Sequence, residues 1–190
     1  MRLRSALHLL IPAAILFFAS SARAEEPSCA ERPNAVVADL GLHVINAGYQ
    51  RAFGCHVTVQ ATAGLYGPWT VTQNVLGLGG GDRPPDEDVI GMVLRGRVFF
   101  HPLGHAPGGL WISPFTQAGP VRSTVASEKV WGPAFAVGLS AGWTWTLGDR
   151  VLLGLGLGGQ YHRTSFLGKT ARPGFSLFGP TVDINLGFRF

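Results

Sequence analysis

The feature that most constrains this chain is a two-residue alternation that runs to its last residue. From Thr181 to Phe190, Val182, Ile184, Leu186, Phe188 and Phe190 share one face of an extended strand. Thr181, Asp183, Asn185, Gly187 and Arg189 share the other. Side chains of a strand point to opposite faces in turn, so a strict period of two predicts a strand with one apolar face. The segment from Val151 to Arg163 repeats the scheme, with Val151, Leu153, Leu155, Leu157 and Tyr161 opposite Gly154, Gly156, Gly158, Gln160 and His162. So does Ala134 to Leu147, with Phe135, Val137, Leu139, Trp143, Trp145 and Leu147 opposite small or polar residues. A dry sandwich core would not be built from those small polar faces. A narrow barrel lumen filled by its own side chains would accept them.

The start of the chain says where such a sheet must work. A basic "MRLR", an apolar run from Ala6 to Ser20 and an Ala-x-Ala site at Ala22 to Ala24 read as a secretory signal peptide, residues 1–24. The run is short for a membrane span and Pro12 interrupts it. Cleavage would remove Arg2, Arg4 and Arg23, leaving twelve basic residues against eleven acidic ones, a net charge of +1. That balance offers no basic stripe for nucleic acid. Hydrophobic residues make up 46% of the chain and charged ones only 14%, low for a soluble exported domain. No segment of the mature chain has the unbroken apolar run of a spanning helix. Only helices and closed barrels satisfy their backbone in lipid, so the expected fold is all-β: an antiparallel up-and-down transmembrane β-barrel.

Further strands are expected at His56 to Tyr66, Val89 to His101 and, less regularly, Gly109 to Gly119, where Pro114 and Phe115 blur the faces. Counting back from a last strand that ends in the periplasm makes the connections near Ser165 to Phe178, Ser123 to Trp131 and Pro68 to Asp88 external. Those at Leu147 to Arg150, Pro102 to Gly108 and Phe53 to Cys55 become periplasmic. Aromatic residues then collect at two levels, as membrane girdles do. Phe53, Phe100, Trp143, Trp145, Phe188 and Phe190 form the periplasmic one; Tyr66, Trp69, Trp131, Phe135 and Tyr161 form the outer one. The stretch from Ala35 to Phe53 changes phase. Val36, Leu40, Leu42 and Val44 are apolar at even positions, with Asp39 and His43 opposite, whereas Ala47, Tyr49 and Phe53 are apolar at odd positions. A reversal near Val44 to Asn46 gives eight strands, the even number a single-chain barrel requires. Residues 25–34 are then a periplasmic N-terminal segment and 35–190 the barrel. Cys29 and Cys55, the only cysteines, fall at the periplasmic end and are expected to pair.

Candidate chemistry is thin. His162, Thr164 and Ser165 lie near the outer rim, but the spacing is His-Arg-Thr, His162 and Thr164 fall on the inward face, and no carboxylate is obviously close, so no catalytic residues are expected. His56, His101 and His105 fall at the periplasmic end without the spacing of a standard metal site. The glycine-rich Gly77 to Asp82 opens no helix and reads as a loop rather than a phosphate cradle. No cofactor is expected. The strongest polar constellation points inward: Asp39, Arg95, Arg97, Asp183, Asn185 and Arg189. Charges in so narrow a lumen must pair or be hydrated, which favours a plug of ion pairs over a general pore.

The signal peptide, "NAGYQRAF", "RVFFHPLGHAPGGLWISPF", "GDRVLLGLGLGGQY" and the terminal "GPTVDINLGFRF" together resemble small eight-stranded bacterial outer-membrane barrels of the outer-membrane protein A and W type. The resemblance implies a Gram-negative outer-membrane location and a monomer among outer-membrane lipids. It also implies a terminal strand read by the barrel assembly machinery, with Phe190, Phe188 and Leu186 as the assembly signal, and no appended peptidoglycan-binding domain. The expected role is structural or surface-interacting, with the acidic loop of Pro68 to Asp88 as the outward face. The alternatives are a narrow porin-like channel or apolar-ligand binder and, less favoured, a lipid A-modifying enzyme.

Overall fold

A computed structural model describes residues 32–67, 89–103, 105–125, 128–165 and 176–190. The signal peptide, Cys29, Trp69 and the loop of residues 68–88 lie outside the described residues. Eight strands follow in order: β1 (Asn34–Gly41), β2 (Val44–Phe53), β3 (Val57–Tyr66), β4 (Val89–Phe100), β5 (Gly109–Val125), β6 (Glu128–Leu147), β7 (Val151–Thr164) and β8 (Ser176–Arg189). Each pairs antiparallel with the next, and β8 returns to β1, so the sheet is a closed barrel. The seam aligns Ala35 with Arg189, Ala38 with Leu186 and Gly41 with Asp183.

Alternation sorts the two faces as a membrane requires. Outward residues are large, apolar and exposed, among them Met92, Leu94, Leu139, Leu157 and Leu186, with Leu94 and Leu157 each 69% exposed. Inward residues on the same strands are buried and mostly polar or small. In a water-soluble domain the polar face would be the wet one. The reversal seen here is that of a protein whose outer solvent is hydrocarbon. Phe53, Phe100, Trp143, Trp145, Phe188 and Phe190 all face outward at the periplasmic end, and Trp131, Phe135 and Tyr161 do so at the other.

Three expectations need correction. The chain reverses at Leu42 and His43, not at Val44 to Asn46, so Val44 is the first residue of β2 and points inward, 2% exposed. The even-position apolar pattern of Val36 and Leu40 therefore ends with β1; Val44 belongs to the inward set of the next strand. This external turn is only two residues long, as is the external connection between β5 and β6. Tyr66 is not part of the outer girdle: it follows outward Leu65 by one residue and is buried in the lumen. Finally, β5 is longer and more regular than its sequence suggests: Ser123 to Trp131, expected as an external loop, is mostly strand, paired in the β5–β6 ladder out to Val125 and Glu128. Pro114 faces outward, opposite Leu139, and Phe115 faces inward.

The glycine-rich inward faces of β6 and β7 have a packing cause. A Cβ on Gly156 would come within 2.2 Å of Trp111, and one on Gly138 within 2.4 Å of Phe115. Two large rings of β5 thus lie on a glycine floor, which is how an eight-stranded lumen holds a tryptophan.

At the periplasmic end the connection after β4 folds back under the barrel. Ala106 N donates to Cys55 O (2.9 Å), and Ala106, Pro107 and Gly108 are buried. Cys55 is disulfide-bonded. Non-reducing digestion should release a Cys29–Cys55 peptide pair that separates on reduction; identical maps with and without reductant would contradict that pairing. Leu139, midway between the girdles on β6, tests the lipid-facing assignment. Leu139→Arg should lower stability in lipid vesicles by about 2–4 kcal/mol, read from urea unfolding.

Candidate functional site in the barrel lumen

The middle of the lumen is built from four charges on three strands. Arg95 and Arg97 stand two apart on β4 and so point the same way. Asp39 on β1 and Asp183 on β8 come from the closing seam, which brings the two ends of the sequence together across from β4. Arg95 Nη1 donates to both Asp39 oxygens at 3.1 Å, and its Nη2 donates to Asp183 Oδ1 at 2.8 Å. Arg97 Nη2 donates to Asp183 Oδ2 at 3.0 Å. Its Nη1 lies 3.8 Å from Asp39 Oδ1, an ion pair without a hydrogen bond. Both carboxylates are 0% exposed, and the four formal charges cancel.

Arg97 is held further by hydroxyls, donating from Nε to Ser113 Oγ at 3.2 Å and from Nη2 to Ser140 Oγ at 2.7 Å. Aromatic faces cover what the carboxylates leave. The Arg95 guanidinium lies 4.2 Å from the Phe115 ring centre, and Arg97 lies 4.7 Å from Phe99 and 5.5 Å from Trp111. Cation–ring contacts of this kind gain strength away from water.

Of the six residues the sequence placed inward, the structure joins Asp39, Arg95, Arg97 and Asp183. Asn185 sits nearby and accepts a hydrogen bond from Gln60 Nε2 at 3.4 Å. Arg189 lies apart at the periplasmic mouth, its Nε donating to Arg32 O at 3.0 Å. The sequence reading placed Ser140 inward without a partner and missed Ser113, Phe99, Trp111 and Phe115. Inward parity is the only signal that could have found them, and it does not say which wall each would meet.

Polar groups line both ends as well. Toward the outer rim, Gln160 donates to His43 Nε2 at 2.6 Å, and the Tyr66 hydroxyl and His162 Nε2 share a hydrogen bond at 3.3 Å, with the two rings stacked 5.5 Å apart. Val44, Tyr66, Val93, Val121 and Ala134 form an apolar layer at this end. Thr164, near His162, makes no side-chain hydrogen bond among the described residues. Toward the periplasm, His101 Nδ1 donates to Gly108 O at 3.1 Å, while the Thr58 hydroxyl donates to its Nε2 at 3.2 Å. Burial lowers the His101 pKa below that of a free imidazole, with His56 adding to the shift. His56 Nδ1 donates to His101 O at 2.9 Å. No three His, Cys, Asp or Glu residues converge as a metal site among the described residues. A cavity above this floor, lined by Gln50, His101, Thr144 and Asn185, has a volume of about 10 Å³, room for roughly one water.

No family model matches the sequence, and no curated protein matches it. Among solved structures the chain is similar to the outer membrane protein OprG from Pseudomonas aeruginosa, at 11% identity and a TM-score of 0.38. The match covers 86% of this chain and 99% of that one. The assignment itself rests on the closed eight-stranded sheet, the outward apolar belt and the two aromatic girdles. The protein is a small eight-stranded transmembrane β-barrel.

Removing one carboxylate of the quartet would leave two buried guanidinium groups competing for the other. Asp183→Ala should therefore cost about 3–5 kcal/mol in urea unfolding from detergent or lipid. A change below about 1 kcal/mol would mean that the lumen is wet enough to screen these charges.

Proposed function

We propose that this barrel is a structural or surface-interacting component of the outer membrane, with a lumen closed by its own side chains, and that it is neither an enzyme nor a general porin. The observation that carries this reading is the quartet of Asp39, Arg95, Arg97 and Asp183. It spans the lumen from the β1–β8 seam to β4 and is packed against Phe99, Trp111 and Phe115. A hydrated solute would have to separate buried ion pairs to pass, a step that costs several kcal/mol per ion. The case against catalysis is positional. His162 is inside the barrel, stacked on Tyr66, whereas acyl chains of the surrounding lipid lie on the other face of the sheet. A nucleophile and its base must share one accessible face.

On this reading the external connections are the parts that meet the surroundings, and the acidic loop of residues 68–88 is their most charged member. Assembly by the barrel insertion machinery, with Phe190 as the terminal signal, and a monomeric state belong to the same proposal. Planar-bilayer recording of refolded protein tests it: the baseline should stay free of steady single-channel steps. Reproducible steps would favour the narrow-channel alternative, and steps enlarged by Arg97→Ala would place the path through the quartet.

A further inference from the structure

The outward face of the barrel is mostly apolar, and besides Arg51 at the periplasmic rim its cations gather at one place, beside the outer girdle. Arg122 on β5, Lys129 on β6 and Arg163 on β7 all fall at outward positions of three adjacent strands. Arg122 stands directly opposite Trp131 in the β5–β6 ladder, its guanidinium 6.0 Å from the ring centre. Lys129 is two residues farther along the same face of β6, and Arg163 stands opposite Phe135. None of the three forms an ion pair, and no outward acidic side chain lies beside them among the described residues.

Their height is set by the strands. Arg122 is twelve residues above Leu110 on β5, and Arg163 is twelve above Val151 on β7. At about 3.3 Å per residue and a tilt of about 40°, that is about 30 Å above the periplasmic girdle, just beyond an apolar band of about 25 Å. Cations there lie level with the head groups of the outer leaflet, and the exposed side chains of Ile90, Trp131 and Phe135 beside them offer apolar surface that acyl chains can cover. Aromatic and cationic side chains together at this depth suit a lipid with an apolar body and an anionic head.

We propose that Arg122, Lys129 and Arg163, with Trp131 between them, form a docking surface for the phosphate groups of an outer-leaflet glycolipid. The occupant is the phosphorylated glycolipid, and complementary charge is the reason. Among the described residues these three cations at head-group level have no counter-charge, and a phosphorylated head group supplies one while its acyl chains cover the adjoining apolar strands. Nothing in this depends on whether the lumen conducts.

The test measures binding of fluorescent bisphosphorylated lipid A, in mixed detergent micelles, to the refolded mature chain. Wild type should bind it at least tenfold more tightly than enzymatically dephosphorylated lipid A. A triple Arg122→Ala, Lys129→Ala, Arg163→Ala variant should lose most of that preference, whereas Arg51→Ala at the periplasmic rim should keep it. Heat-modifiable gel mobility reports whether each variant folds. If the triple variant does not fold, the phosphate preference of the wild type and its loss at high salt decide the matter. Equal binding with and without phosphate would overturn the proposal. So would an unchanged preference in the folded triple variant, or equally strong competition by phosphatidylglycerol.

Discussion

A β-sheet placed in hydrocarbon cannot keep an edge, because each unpaired backbone amide or carbonyl there would cost several kcal/mol. Everything else in this molecule depends on the pairing of β1 with β8 that removes the edge. That seam joins residues from opposite ends of the chain, Asp39 beside Asn185 and Gly41 beside Asp183. It thereby fixes where two carboxylates stand in the lumen. It also sets the barrel's circumference, and with it the volume that inward side chains must fill.

The filling follows two different rules on two sides of the barrel. On the β6–β7 wall, glycines make room for the rings of Trp111 and Phe115 arriving from β5. On the β1, β4 and β8 walls, charge does the filling, with Arg95 and Arg97 reaching Asp39 and Asp183. The two sets meet, since the guanidinium groups lie against the same rings. An arrangement in which every guanidinium has both a carboxylate and an aromatic neighbour is hard to open piecemeal. Buried ion pairs of this sort often add specificity of arrangement more than net stability, and here they would favour one register of the seam over its neighbours.

Much of this was legible in the sequence because a membrane barrel writes its faces in a strict period. β6, β7 and β8 alternate so cleanly that their faces, and the inward placing of Arg95, Arg97 and Asp183, follow from parity alone. The first hairpin was harder. Its reversal occupies only Leu42 and His43, neither of them a turn-forming glycine or proline, so the apolar Val44 read as a continuation of β1. β5 was obscured by Pro114, whose missing donor suggested a break, though proline at this outward position coexists with a continuous β5–β6 ladder. The contacts of Trp111 and Phe115 with glycines of β6 and β7 were out of reach. Parity says that a side chain points inward but not what it meets, since that depends on strand stagger around the whole circumference.

The measurement that tests the account most directly is oxidative cross-linking across the seam. Cysteines placed at Ala38 and Leu186, directly opposed on the outward face, should form a disulfide in the folded, membrane-inserted protein. The pair Ala38 and Val182, four residues out of register, should not. Cross-linking of the first pair alone, with heat-modifiable mobility retained, is the predicted result. No cross-link at Ala38 and Leu186, or a stronger one at Ala38 and Val182, would contradict a closed barrel in this register and the lumen built upon it.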